Sequence, residues 1–394
     1  MKEVRAKFQT SKVLGISFAH LLHDIYTSFL NTILPLLIEK FGISLTLASL
    51  LSLIQRIPSL LNPLIGIVAD RSAVRYYIIF TPAVTAIGMS LLGVAPNYTI
   101  LALLLFLVGI SSSLFHVPAP TLTKSVSGNR IGQGMSFYML GGEGARTLGP
   151  LIIVGAVELW ALEGTWKLIP FAIIATIFLY FILRDVEVKK APKPKSKKGE
   201  NAAIWKYTKE LKPVLIAITG ITFFRAMMKS ALTAFLTTYI TGQGETFSYA
   251  GISLAIFQFA GAVSVMIAGT YSDRIGRISM LKIAAFASPV FMWLFVFSGE
   301  IMVIPVLLLL GLSIFATTPV LLAFLQEVGK DRPSYVNGIY MTISFAVGAV
   351  AVLLVGIFGD MWGLEKTFEI TSYIGIGAVP FVYYLQRIIK GAKN

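Results

Sequence analysis

Long apolar stretches separated by short polar segments make up almost the whole chain. A transmembrane helix needs about 20 mostly apolar residues, and twelve stretches of suitable length can be placed. They cover residues 13–38, 44–68, 76–95, 98–122, 132–157, 166–183, 213–240, 248–270, 280–297, 301–325, 334–357 and 368–386. The pattern predicts an all-α integral membrane protein with twelve transmembrane helices and no appended soluble domain.

The longest polar stretch, residues 184–212, contains the run KKAPKPKSKKGEN and divides the spans six and six. Proline and lysine disfavour a packed element, so we predict a cytoplasmic basic linker in an extended conformation. The predicted domains are an N-terminal six-helix bundle over residues 1–183 and a C-terminal six-helix bundle over residues 213–394.

Composition and charge support this assignment. The 394 residues are 56% hydrophobic and 13% charged, whereas soluble domains are about 45–50% apolar and about 25% charged. Most of the 33 Lys and Arg residues fall on the N-terminal side of the membrane when the spans alternate. The positive-inside rule then places both termini in the cytoplasm of a multi-pass protein of the cell membrane. The net charge of +14 therefore indicates topology, and we expect contact with membrane lipids, no nucleic-acid partner, and a monomer.

One short motif occurs in both halves of the chain. Its elements are Gly66, Asp70, Arg71 and Arg75 after the second span, and Gly269, Asp273, Arg274 and Arg277 after the eighth. Two copies in register indicate an internal duplication. Glycine permits close helix packing, and the arginines can pair with the aspartate. We therefore predict that both copies gate the cytoplasmic side.

This G-x-x-x-D-R pattern between the second and third of twelve spans resembles the signature loop of the major facilitator superfamily. The second copy, with Gly276, matches more fully than the first, which has Ala73 and Val74. Further stretches resemble the fosmidomycin-resistance-type subgroup: His20 to Tyr26, Phe115 to Pro118, Gly134 to Pro150, and Arg225. The resemblance implies two six-helix bundles with pseudo-twofold symmetry around a central cavity, and a drug or metabolite exporter.

A glycine-rich run in the fifth span ends at Pro150 and includes Gly141 and Gly149. It resembles the antiporter motif of that superfamily. Glycines let a partner helix approach or slide, and a proline permits a kink. Two interpretations stay open: tight helix packing, and a hinge for gating.

Charged side chains inside spans are functional candidates, because each costs about 2.5–3.5 kcal/mol at a span centre. Asp24 and Glu143 are the mid-span carboxylates. His20 lies one turn from Asp24, so the two can share a proton; the alternative is a local bond that holds the helix. We predict proton coupling at Asp24, His20 and Glu143, and we expect His23 to point elsewhere.

The substrate-binding candidates are basic or aromatic side chains within spans. They are Arg225, Arg56, Arg146, Tyr26, His116 and Lys229. Arg146 could instead form a structural pair with Glu143 at i, i+3. Arg225 could anchor a substrate or latch the two bundles, and Lys229 could extend outward along its flexible chain.

No Walker loop, H-E-x-x-H motif, nucleophile elbow or cysteine is found, so no catalytic residue, cofactor or metal is predicted. We expect a secondary active transporter that moves a small-molecule substrate by alternating access. Proton-coupled antiport of drugs (multidrug efflux) or metabolites is the favoured mode. The alternatives are uptake of an anionic or sugar-like metabolite, a membrane receptor or scaffold, and an intramembrane lipid enzyme.

Overall fold

The computed structural model describes residues 7–62, 65, 73–186, 200–328 and 333–391, and all regular structure in these ranges is helical. The α-helices are α1 Thr10–Thr27, α2 Phe29–Phe41, α3 Leu45–Arg56, α4 Arg75–Ser90, α5 Tyr98–His116, α6 Ala119–Val126, α7 Ile131–Trp160, α8 Ile169–Leu183, α9 Glu200–Gly242, α10 Phe247–Ile275, α11 Arg277–Phe297, α12 Glu300–Val328, α13 Pro333–Gly375 and α14 Ala378–Gly391. The 3₁₀ helices are Ile57–Leu61, Leu92–Val94 and Leu162–Leu168.

These helices account for the twelve predicted spans. Nine segments of the described chain are long and apolar enough to cross a membrane. One of them, Val336–Gly391, contains two spans, because the backbone of Gly363 leaves the helical region with φ of 79°. The shorter apolar segment Leu45–Leu61 is the second span, and α7 covers the fifth.

Two spans are interrupted. The first consists of α1 and α2, which are separated at Ser28, and the fourth consists of α5 and α6. The second break falls at Val117 and Pro118, where proline has no amide hydrogen and disfavours helix in the residue before it. His116 consequently ends α5, and Asp24 lies in the last turn of α1.

The predicted linker is partly helical. Residues 200–212, which we expected to be extended, form the first turns of α9, and residues 187–199 lie outside the described part of the chain. The physical reason is local composition: from Glu200 onward, Ala, Leu, Lys and Glu favour helix, and no proline occurs before Pro213.

The chain forms two compact units: unit 1 comprises Met1–Ala191 with Ile240–Ala255, and unit 2 comprises Pro192–Tyr239 with Ile256–Asn394. In unit 1, α1 packs along α7, and the core includes the buried side chain of Phe115. In unit 2, the helices from α9 to α14 all contribute residues to the core. Many large apolar side chains lie on the surface, and Ile174, for example, is 66% exposed. Such a surface is expected of a protein that faces lipid.

Candidate functional site

Three histidines surround the carboxylate of Asp24 inside unit 1. His23 Nδ1 lies 3.0 Å from Oδ1 of Asp24, and His116 Nε2 lies 3.2 Å from the same oxygen. His20 Nε2 lies 3.3 Å from Oδ2. Helices α1 and α5 supply all four side chains, which we call the Asp24 cluster.

The outer nitrogens of two of these histidines have partners of their own. His20 Nδ1 lies 2.7 Å from the backbone oxygen of Tyr138 on α7. His23 Nε2 lies 3.0 Å from Oγ1 of Thr85 on α4, which donates to Ser111 at 2.9 Å. The imidazole orientations are therefore held by hydrogen bonds to two other helices, α7 and α4, and Thr85 is held in turn by Ser111 on α5.

Aromatic stacking and burial enclose most of the cluster. The His20 ring stacks on Tyr138 with centroids 4.1 Å apart, and the His23 ring stacks on Phe115 at 4.6 Å. The side chain of His23 is fully buried and that of Asp24 is 8% exposed, whereas that of His116 is 37% exposed. His116 is thus the member of the cluster that is open to solvent or to a cavity.

One expectation about the histidines is wrong. We expected His23 to point elsewhere, because neighbours on a helix diverge by about 100°, but its ring turns back to reach Asp24. His116, predicted as a substrate contact, touches Asp24 directly, and a role in substrate binding stays a prediction. The sequence signal for His23 was its position beside a buried acid; no local signal linked His116 to Asp24.

The other candidates of unit 1 lie in different surroundings. Glu143 and Arg146 form an i, i+3 pair at 2.6 Å, one of the two alternatives considered for them, with Glu143 buried and the Arg146 side chain 44% exposed. Tyr26 is buried and donates to the backbone oxygen of Leu168 at 2.8 Å, which favours a structural role. Arg56 ends α3 with an exposed side chain, and within the described ranges no hydrogen bond or ion pair joins it to the cluster.

Three ligand atoms of the cluster, from His20, Asp24 and His116, lie within 4.8 Å of one another. That spacing is compatible with a shared metal ion as well as with shared protons. The N···O distances of 3.0 to 3.3 Å are those of hydrogen bonds, so protons are sufficient to explain the geometry.

The glycines of α7 contact α1 directly. A Cβ atom at Gly141 would meet the backbone oxygen of Ser17, and one at Gly149 would meet the side chain of Ser28. At Gly142 an added Cβ would lie 2.5 Å from Cε1 of His20. Close packing beside the cluster therefore requires these glycines, and Pro150 continues α7 immediately after them.

In unit 2, the side chain of Arg225 is buried and has few polar partners among the described residues. Its Nη1 donates to Thr318 Oγ1 at 2.7 Å, and its Nε has no hydrogen-bond partner among the described residues. The adjacent cavity of about 10 Å³ holds at most one water molecule. A bound anion would therefore require the lining helices to move. Lys229 lies 4.4 Å from the Phe315 ring centroid, so it does not extend outward as we considered.

The second copy of the repeated motif forms an ionic network at the junction of α10 and α11. Arg277 pairs with Asp273, lies 3.0 Å from Glu327, and donates to the backbone oxygen of Gly269 at 3.1 Å. Sequence reasoning missed Glu327, because it comes from the distant helix α12. Arg274 is exposed.

We expected the glycines of this motif to permit close helix packing, and the structure shows a different role for them. A Cβ at Gly269 would meet no atom of the described residues within 4 Å, so close packing among them does not require glycine there. Gly276 has φ of 90° and separates α10 from α11, a conformation that favours glycine. Ala73, at the corresponding position of the first copy, does not have a positive φ.

The structure describes Arg75 of the first copy of the motif. Gly66, Asp70 and Arg71 lie outside the described residues. Arg75 is described: it donates to the backbone oxygen of Val186 at 3.1 Å, and so ties the start of α4 to the end of the sixth span.

A model of the family described as Major Facilitator Superfamily matches residues 16–386. The chain belongs to this superfamily. It is therefore a secondary transporter, a multi-pass membrane protein with a small-molecule substrate, and not an enzyme. Its fold is the twelve-helix major facilitator fold, as the resemblance of the repeated motif implied.

Two curated relatives cover nearly the whole length of this transporter. The fosmidomycin resistance protein of Escherichia coli (strain K12) is 25% identical over 373 residues, which are 92% of this chain and 90% of that protein. The uncharacterized MFS-type transporter YfnC of Bacillus subtilis (strain 168) is 23% identical over 381 residues, with 93% and 91% covered. The subgroup predicted from the motifs is thus represented among the relatives.

Solved structures of transporters share the fold. A bacterial homolog of the human lysosomal transporter Spinster, in an inward-facing and unoccupied conformation, has a TM-score of 0.77 at 15% identity, with 96% of this chain and 97% of that chain covered. The nucleoside transporter NupG has a TM-score of 0.78 at 11% identity, with 95% and 99% covered. At such identities the likeness concerns the fold alone.

Proposed function

We propose that this transporter is a proton-coupled antiporter that exports a drug or metabolite, and that the Asp24 cluster is its proton-binding site. The observation that carries the proposal is the set of three histidine nitrogens within 3.3 Å of one buried carboxylate. Whether this cluster can bind a proton depends on which nitrogen of each imidazole ring already carries hydrogen.

The hydrogen-bond partner of His20 Nδ1 shows that this nitrogen carries a hydrogen. Its Nδ1 faces the backbone oxygen of Tyr138, and a carbonyl oxygen can only accept a hydrogen bond. Nδ1 therefore carries hydrogen. In the neutral ring, Nε2 then has a lone pair, and this lone pair faces Oδ2 of Asp24.

The same reasoning applies to His23 through a chain of hydroxyl groups. Ser111 donates to the backbone oxygen of Thr81 at 2.9 Å, and Thr85 donates to Ser111. Because each hydroxyl has one hydrogen, Thr85 must accept from His23 Nε2. In the neutral ring, Nδ1 of His23 then presents a lone pair to Asp24.

An ionised Asp24 among neutral histidines would be poorly satisfied. Two lone pairs, from His20 and His23, would face the carboxylate oxygens at 3.3 and 3.0 Å. One added proton, on the acid or on a ring, converts a repulsive contact into a charge-assisted hydrogen bond. The geometry thus supports a cluster that holds at least one exchangeable proton.

Exchange needs a route to water, and His116 supplies one. Its side chain is 37% exposed while its Nε2 touches Asp24. A histidine can accept and release a proton within the physiological pH range. We infer that protons enter and leave the cluster through His116, and that Glu143, neutralised by Arg146, is the secondary candidate for coupling.

The substrate we propose is anionic, and Arg225 is its anchor. A buried guanidinium without a carboxylate partner is costly unless a ligand supplies the counter-charge. Nε of Arg225 has no hydrogen-bond partner within the described residues. The name of the Escherichia coli relative makes fosmidomycin the first substrate to test, and resistance implies export.

The test uses inverted membrane vesicles that are acidified inside by respiration. If the termini are cytoplasmic, fosmidomycin added outside should exchange for internal protons and reverse the quenching of a pH-sensitive dye. Asp24→Asn should abolish this response, because the amide cannot release a proton. The variant should still exchange labelled for unlabelled fosmidomycin at equal pH on both sides.

The control is Asp185→Asn, which removes a carboxylate that is exposed at the end of the sixth span and paired with Lys12. It should respond as the wild type does. If Asp24→Asn also responds fully, Asp24 is not the coupling site, and Glu143→Gln becomes the variant to test.

A further inference from the structure

A groove of about 840 Å³ runs along one face of α9 in unit 2 and is bordered by Phe381 of α14. Its volume lies within the range of about 300–1,000 Å³ found for ligand pockets. The groove belongs neither to the Asp24 cluster nor to the surroundings of Arg225. Its lining changes from basic at one end to aromatic at the other.

The basic end is formed by Lys209 and Lys212, one helical turn apart. Both side chains are exposed, and neither forms an ion pair or hydrogen bond with any described residue. Two ammonium groups at i, i+3 lie on the same side of a helix and can hold one phosphate group between them.

The floor and walls are apolar. Leu215, Ile216 and Phe223 follow the lysines along the same face of α9. Gly220 makes the floor possible, because a Cβ there would strike the ring of Phe381. Phe224 and Phe381 lie with ring centroids 5.8 Å apart. The surface therefore offers an acyl chain continuous apolar contact beside a cationic end.

We propose that this groove binds an anionic phospholipid, with the phosphate on Lys209 and Lys212 and one acyl chain along α9. We choose an anionic phospholipid as the occupant because the groove is basic at one end and apolar along its length. Both lysines lie near the start of the candidate span Tyr207–Gly242, where a headgroup meets the membrane surface, and Ile216, 46% exposed, lies further into the span. The lipid would brace α9 against α14.

The experiment measures lipid binding to the purified full-length protein in detergent, by native mass spectrometry and by thermal unfolding. Phosphatidylglycerol should bind more tightly than phosphatidylcholine and raise the unfolding temperature. A lysine near an anionic headgroup contributes about fivefold in affinity, so Lys209→Ala with Lys212→Ala should weaken phosphatidylglycerol binding about 25-fold. Ile216→Trp should fill the groove and weaken both lipids.

The matched control is Arg387→Ala with Lys390→Ala, which removes two exposed charges from the cytoplasmic end of α14. It should keep the wild-type preference. Equal loss in the control and in the lysine pair would overturn the site, as would equal binding of the two lipids by the wild type. Stabilisation by inorganic phosphate to the same extent would show a headgroup site without a lipid, and binding of fosmidomycin there would identify a substrate entrance instead. Either result would refute the proposal.

Discussion

Substituting alanine for Gly142 should uncouple transport from protons without changing any titratable group. The added Cβ would lie 2.5 Å from Cε1 and 2.7 Å from Nε2 of His20. Ordinary carbon contacts are about 3.5–4.0 Å, so the ring must retreat by about 1 Å. His20 Nε2 lies 3.3 Å from Asp24, and such a movement takes the pair beyond hydrogen-bond distance or breaks the bond to Tyr138.

The magnitude follows from the bond that is lost. A hydrogen bond to a charged group contributes about 1.5–3 kcal/mol, which corresponds to at least a tenfold change in proton occupancy. We expect proton-driven accumulation by Gly142→Ala to fall about tenfold or more. Overpacking costs about 1–3 kcal/mol, while replacing glycine in a helix returns about 1 kcal/mol. The net destabilisation is then about 0–2 kcal/mol, and the protein should still fold.

The matched control is Gly144→Ala, two residues further along the same helix and therefore on a different face. A Cβ there would lie 3.5 Å from Leu21, an ordinary contact, so this variant should transport as the wild type does. The assay compares gradient-driven uptake with exchange at equal pH for both variants in proteoliposomes. Wild-type coupling in Gly142→Ala would show that the position of the His20 ring does not matter.

Three further predictions concern other charged groups. Arg225→Ala should lose binding of an anionic substrate in a thermal-shift assay. Arg225→Lys should keep part of that binding, because lysine keeps the charge but lacks the planar guanidinium group. Wild-type binding by both variants would exclude Arg225 as the substrate anchor. Arg277→Ala leaves the Glu327 carboxylate without the guanidinium, so it should slow the initial transport rate severalfold while the Kd stays unchanged; a rate equal to wild type would contradict gating. Lys12 lowers the pKa of the Asp185 carboxyl below its usual range, so their pairing should stabilise the protein above about pH 4 and be lost as the pH falls through the lowered pKa. Since Asp185 is exposed, Asp185→Asn should cost under about 1 kcal/mol at pH 7 and nothing once the pH is below the lowered pKa, as measured by thermal unfolding.

The spans could be predicted because apolar length is a property of the local sequence. Their interruptions could not, except where Pro118 breaks the fourth span. The start of α9 was mispredicted because the basic composition of residues 184–212 dominated the interpretation. Helix-favouring residues from Glu200 onward were the signal that could have corrected it.

The candidate site was predictable only where its residues share a helix. His20 and Asp24 are one turn apart, so their contact follows from helix geometry. His116, Thr85 and the backbone oxygen of Tyr138 reach the cluster from three other helices. Such contacts depend on how helices pack, which no spacing in the sequence determines.

The duplication suggests why the proposed proton site and the proposed anion anchor lie on two repeat-related spans. The first span carries Asp24 among histidines, and the seventh, its repeat partner, carries Arg225 and Lys229. A proton site needs neighbouring bases that can share the proton, as we propose for the histidines of unit 1. An anion site needs a cation without a resident carboxylate, because such a carboxylate would compete with the substrate, and Arg225 donates instead to the neutral hydroxyl of Thr318. These requirements exclude each other at one position. Divergence of the two repeat-related helices would therefore allow one duplicated scaffold to hold both proposed sites.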